Sequence, residues 1–140
     1  PDVVLVVDGD FCSDTPAASA KELGGEVRLG AGPVVSRGAG GHERLAVWAQ
    51  EAAAAEGLPV QVKAYGGETE TDADELMAAG TAATLTIGLP LRYMHSPSEV
   101  TDLADLDAAA CLVAALARRI GEAGGGGGPA GPNETGGRGA

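Results

Sequence analysis

Only four of the 140 residues are aromatic (Phe11, Trp48, Tyr65 and Tyr93), and only two are cysteine. A core with so few rings has to come from Val, Leu, Ile and Ala, each burying modest area, so a thin stability margin is expected. Cys12 and Cys111 lie far apart in sequence and offer neither a metal pair nor a secreted disulfide framework, which makes a cytoplasmic protein the expectation. Basic residues are scarce as well: nine Lys and Arg against 20 Asp and Glu leave a formal net charge of −11. No more than two of them are adjacent (Arg118 and Arg119), so the chain lacks the basic patch a nucleic acid would need. Long apolar runs are missing too. The longest, Ala108 to Ala117, is about half the roughly 20 residues that span a bilayer, and the chain opens on a strand pattern with no signal segment, so no membrane partner is expected.

Glycine, by contrast, is abundant. Nine of the 23 glycines fall within residues 124–140. Residues 123–140 therefore read as a disordered Gly/Pro-rich tail, and residues 1–122 as the part that folds.

Within that part, VVLVVD (3–8) is a continuous β-branched run and reads as a buried strand with a carboxylate at its C-terminal end. Residues 11–41 are irregular, with short β-like pieces at 26–29 and 33–36. Apolar residues at 45, 48, 49, 52 and 53 predict an amphipathic helix over 42–56, closed by Gly57. Further strands are expected at 60–65 and 82–88, a short helix at 72–79, and a last helix capped by Thr101 or Asp102. That helix carries a stripe of Leu103, Leu106, Ala110, Val113, Ala117 and Ile120, read as the face packed on the sheet. Alternating strands and helices imply an α/β fold, a three-layer α/β/α sandwich with a mostly parallel sheet.

In such sheets ligands collect at the carboxyl ends of the strands. Asp8 closes the first strand and His95 lies in the loop after the last, so a parallel arrangement brings a carboxylate and an imidazole to one edge. That pair suits zinc, cobalt or manganese; the alternative is a turn-capping Asp8 and a hydrogen-bonded loop histidine. The glycines at 38–41, before the 42–56 helix, read as a loop in preference to a phosphate cradle, since no long strand and no P-loop lysine accompany them.

The segments VVLVVD (3–8), SDTP (13–16), LGAGPVVSRG (29–38), TDADELMAAG (71–80), IGLPLRYMHSPSEV (87–100) and TDLADLDAA (101–109) resemble, in order and spacing, the C-terminal part of the tetrahedral or glutamyl aminopeptidase family. Members of that family are also labelled endoglucanase M or cellulase. The resemblance covers residues 1–122 and implies part of the catalytic domain of a metallo-aminopeptidase. It assigns Asp8 to one of two divalent metal ions, zinc or cobalt in the complete enzyme, and His95 to the other. Asp72 matches a Thr-Asp-Ala motif near the active-site wall and is expected to orient a ligand or loop. Arg92 is expected either to hold a substrate carboxylate in a bidentate fork or to pair with Glu99. Asp10 reads as an exposed turn acid, with a substitute metal ligand as the alternative. The acidic run Glu68, Glu70, Asp72, Asp74 and Glu75 is a solvated segment whose last members enrich a helix N-terminus, although Asp74 replaces a usual small residue.

The resemblance also implies a peptide substrate and a homo-oligomer for the complete protein. The bridging aspartate, the second histidine, a further Glu ligand and the general-base Glu lie upstream in the family, whereas Asp8 is the eighth residue here. The expectation is thus a chain with an incomplete metal site and no general base, inactive by itself. A non-catalytic module that binds a partner or assembles through bare sheet edges is the alternative. A glycosidase using Asp8 and Asp10 ranks last.

Overall fold

A computed structural model describes residues 1–124 except 17, 68, 70 and 81. The disorder expected of the glycine-rich tail, from residue 125 onward, lies outside the described residues, as do Glu68 and Glu70 of the acidic run.

The first strand, β1 (Val3–Phe11), runs three residues past its expected end at Asp8. Its partner explains the extension: β4 (Ala83–Leu91) continues beyond Gly88 and pairs with β1 in parallel from Val3↔Ala83 to Phe11↔Leu91. Pro90 is tolerated inside β4 because the opposite neighbour, β2 (Val34–Gly38), pairs with β4 only at Gly88 and Ile87, so no ladder on that side asks for its missing N–H. The β-like piece at 26–29 forms no strand. Val27 is held instead by Ser13, whose N–H donates to the Val27 carbonyl at 2.8 Å and whose Oγ accepts from the Val27 N–H at 2.9 Å.

After β2 come α1 (Glu43–Glu56), β3 (Gln61–Tyr65) and α2 (Asp72–Ala78); α3 (Leu103–Gly124) follows β4. Gly57 ends α1 in the left-handed conformation, φ 65°, and the next amide, Leu58 N–H, returns to the Ala53 carbonyl. Thr71 caps α2 and Asp102 caps α3, each by accepting a helix N–H through its side-chain oxygen. No helix among the described residues is long and apolar enough to cross a membrane.

The sheet order is β1-β4-β2-β3. β1 with β4 and β2 with β3 are parallel, as expected of a mostly parallel α/β sheet, and the short antiparallel seam between β2 and β4 makes it mixed. Helices α1 and α3 cover one face, over a core whose large members are Leu45, Leu85, Ile87, Leu112 and Leu116, filled in by alanines. On the other face lie α2 and the segment that packs Cys12, Val27 and Leu29 around Val34.

The packed face of α3 follows the expected stripe only in part: Val113 and Ile120 pack against the core. Asp105, Ala108, Ala109, Leu112, Ala115 and Leu116 point inward, while Leu103 is 73 % and Leu106 47 % exposed. The cause is Asp105. Its two carboxylate oxygens accept the Gly30 and Gly32 amides at 2.8 and 2.7 Å, which satisfies a buried charge and turns that face of the helix to the core.

Candidate active site

The C-terminal ends of β1 and β4 open into a cleft. Asp8, Asp10 and Phe11 come from β1, Thr86 and Gly88 from β4, Lys63 and Tyr65 from β3, and Met94 and His95 from the loop after β4. Thr69 and Thr71 close the side toward α2. The expected meeting of Asp8 and His95 at one sheet edge is therefore found, because β1 and β4 run side by side in the same direction.

Asp8 is exposed and takes the Gly9 N–H on Oδ1 at 2.7 Å, a local contact that fixes the carboxylate's orientation. His95 is exposed as well, on a loop closed by the Arg92–Val100 bridge. Two residues of that loop, Tyr93 (φ 59°) and His95 (φ 66°), hold a left-handed backbone without being glycine. Such conformations cost of order 1–3 kcal/mol each and persist only where the surroundings over-determine them. Here Glu99 accepts the His95 backbone N–H at 2.7 Å, and the Phe11 ring meets the imidazole edge-on, with centroids 5.4 Å apart and planes at 88°.

Asp10 corrects the sequence reading. It is not an exposed turn acid but a strand residue 3 % exposed, with Oδ1 against the Lys63 ammonium and Oδ2 accepting the Tyr65 hydroxyl at 2.8 Å. Burial, and then the adjacent Asp10 carboxylate, push the Tyr65 phenol well above its ordinary range, so that the hydroxyl stays a donor. With both oxygens taken, Asp10 is not available as a substitute metal ligand or as one of two opposed glycosidase carboxylates. Lys63 and Tyr65 escaped the sequence reading altogether. The alternation in QVKAY puts them on one face of β3, but nothing in sequence links that face to a residue more than fifty positions earlier.

Arg92 does not pair with Glu99. Its Nε and Nη2 donate to the two oxygens of Asp14 at 3.0 and 2.5 Å, tying the loop that carries His95 to the Asp-Thr-Pro segment. That fork is the first cause of an Asp14 carboxyl held below its ordinary value. Asp72 is exposed at the start of α2, beside the cleft-lining Thr71. Asp74, the unusual acid in that motif, takes the Thr69 N–H and hydroxyl at 2.8 and 2.9 Å and thereby sets part of the cleft wall. The glycines at 38–41 serve packing. A Cβ at Gly41 would stand 2.8 Å from the Leu85 side chain, and one at Gly40 2.7 Å from Ser36 Cβ.

As a metal seat the cleft offers two donors, Asp8 and His95, and no group of three or more His, Cys, Asp or Glu that could hold an ion occurs among the described residues. Structural zinc takes four protein ligands and catalytic zinc usually three. The donor chemistry fits a divalent cation, and the donor number falls short.

A family model for M42 glutamyl aminopeptidases matches residues 1–112. The chain belongs to that family. It is 34 % identical over 121 residues to the lysyl aminopeptidase of Pyrococcus furiosus, covering 86 % of this chain and 34 % of that protein. Among solved structures, an aminopeptidase from the archaeon Desulfurococcus kamchatkensis superimposes with a TM-score of 0.70 at 36 % identity, over 82 % of this chain and 33 % of the other. The Pyrococcus horikoshii TET1 peptidase, which can assemble into a tetrahedron or a large octahedral shell, gives 0.66 at 29 % identity, over 84 % and 33 %. The chain thus spans about a third of the length of these M42 relatives.

Proposed function

We propose that this chain is part of a two-metal aminopeptidase that removes N-terminal residues from peptides. Asp8 gives a donor to one divalent ion, zinc or cobalt, and His95 gives a donor to the other. The observation that carries the reading is that these two side chains, from opposite ends of the family match, line one cleft where paired parallel strands end. When bound, such cations would supply Lewis acidity toward a water and the scissile carbonyl.

The chain's own residues do the holding. Phe11 packs edge-on against the imidazole, Glu99 holds the His95 backbone amide, Gly9 orients the Asp8 carboxylate, and Arg92 steadies the His95 loop through Asp14. Asp72 stands beside the cleft-lining Thr71, where it is placed to orient a loop or an incoming peptide. No glutamate lines the cleft among the described residues, and its second carboxylate, Asp10, is tied to Lys63. Among the described residues the cleft thus holds no glutamate to accept a proton from the attacking water, in keeping with the proposal that the chain alone is inactive.

A second reading, a module acting through assembly, draws on the outer edge of β1, which is the end strand of the described sheet and nine residues long. A homo-oligomer is compatible with both readings.

The test is a Co²⁺ titration of the purified chain followed by NMR. The Asp8 amide and the His95 ring should respond over the same range of concentration, with Asp8→Asn and His95→Ala each losing the response at the substituted residue. Silence at both residues overturns the metal assignment. In parallel, leucyl- and glutamyl-anilides should remain intact; robust hydrolysis overturns the prediction of inactivity.

A further inference from the structure

The buried cluster of Asp10, Lys63 and Tyr65 has no part in the function proposed above, and its place in the sheet is unusual. Asp10 belongs to β1 and Lys63 to β3, the two outer strands of the described sheet, so their ion pair crosses over both β4 and β2. The crossing depends on small residues underneath. A Cβ on Gly88 of β4 would lie 2.8 Å from both Asp10 Cβ and Oδ2, and β2 presents Ser36 beside Lys63 in register. Both charged side chains are 3 % exposed, and the Tyr65 hydroxyl takes the carboxylate oxygen that Lys63 leaves.

The geometry points to a clasp: Asp10, Lys63 and Tyr65 are positioning residues that hold the end of β1, and with it Asp8, in place against the loop that carries His95. Beyond its end β1 runs into the segment tied down by the Ser13–Val27 hydrogen bonds and the Arg92–Asp14 fork, and the clasp adds a tie across the sheet. The described sheet gives β1 one neighbour, β4, and the last contact of the pair is the Cys12 N–H to the Leu91 carbonyl at 2.9 Å. Asp8 itself is exposed, and its carboxylate accepts the amide of its own neighbour, Gly9. Strand residues two apart share a face, so a restraint on Asp10 holds the stretch of backbone from which Asp8 projects on the same side. The closed ion pair has a second effect. The Lys63 ammonium compensates Asp10, leaving Asp8 as the cleft's one uncompensated carboxylate among the described residues.

The positioning role rests on the assignment of Asp8 and His95 as cation donors, and the experiment separates the two claims. Replacing one partner alone strands a buried charge and risks the fold. The informative variant is therefore the neutral pair Asp10→Asn/Lys63→Met, with Tyr65→Phe as a milder cut and Lys63→Arg as the conservative exchange. Amide hydrogen exchange in the 140-residue chain should show the Asp10 and Cys12 amides of the double variant losing at least about tenfold in protection, with Leu112 in α3 unchanged. Tyr65→Phe should lose less, and Lys63→Arg should stay near the parent. Under Co²⁺ alone, the Asp8 and His95 responses should separate in the double variant. Unchanged protection at Asp10 and Cys12, or a loss shared equally with Leu112, overturns the clasp. If Co²⁺ moves neither residue in the parent chain, the metal assignment fails while hydrogen exchange still decides whether β1 is clasped.

Discussion

Replacing Asp105 by Asn probes the contact that sets the orientation of the longest helix. The aspartate is 1 % exposed and accepts two backbone amides, Gly30 N–H at 2.8 Å and Gly32 N–H at 2.7 Å. Hydrogen bonds to a charged acceptor contribute about 1.5–3 kcal/mol each, and a buried donor left without a partner costs about 1–3 kcal/mol. Asparagine keeps one carbonyl oxygen and turns an NH₂ group toward the other amide, so one bond is lost and two donors face each other. The loop cannot swing away to relieve this. Gly32 sits at φ 92° with its missing Cβ directed 2.2 Å from the Pro59 carbonyl oxygen. Against these losses stands the desolvation of the carboxylate, which the amide avoids, so the net destabilisation is about 2–4 kcal/mol. For a domain stable by roughly 5–15 kcal/mol that is a large fraction. With a urea m-value of about 1–3 kcal/mol/M, the unfolding midpoint followed by circular dichroism should fall by about 1–2 M. A fall of less than about 0.3 M at unchanged m would refute the view that this carboxylate anchors α3.

Three other outcomes follow from individual contacts. Gly88→Ala drives a methyl against Asp10, which Lys63 and Tyr65 prevent from yielding, and should cost about 1–3 kcal/mol in thermal or urea unfolding. Burial, and then the Asp14 carboxylate, push the Cys12 thiol up to about 12, while Cys111 is exposed on α3. Iodoacetamide near pH 8 should therefore label one thiol in the native chain and the second only after denaturation. The Arg92–Asp14 fork depresses the Asp14 carboxyl, so its contribution to stability is complete above the unfolded aspartate value of about 3.9 and is lost as pH falls through the lower folded value. Asp14→Asn should remove that acid limb, and an unchanged stability profile below about pH 4 would contradict it.

Where local pattern decides, the sequence was a good guide. The periodicity of residues 45–53, the Gly57 stop and the Asp102 cap all reappear as α1 and α3. The edge-sharing of Asp8 and His95 was equally legible, since strand ends and a parallel pairing suffice to predict it. What stayed hidden depends on partners distant in sequence. Asp10 reads as a turn acid because Asp-Gly-Asp looks like a turn until Leu89 to Leu91 are known to extend the ladder beside it. The first turns of α3 depart from the apolar stripe because two loop amides outweigh the apolarity of Leu103 and Leu106 and draw Asp105 inward, while Val113 and Ile120 further along keep to it. Arg92 chose Asp14 over the nearer-in-sequence Glu99, whose carboxylate is engaged by the His95 N–H.

The central claim, that Asp8 and His95 serve an M42 aminopeptidase site, is tested most directly by a chimera. Residues 1–122 of this chain would replace the matching third of the Pyrococcus furiosus lysyl aminopeptidase, with folding verified by circular dichroism and aminoacyl-anilide hydrolysis measured with added Co²⁺. The account predicts hydrolysis that falls by at least about a hundredfold in both Asp8→Asn and His95→Ala, as expected when a metal donor is lost. A folded chimera that is inactive, or whose activity survives either substitution, would contradict it.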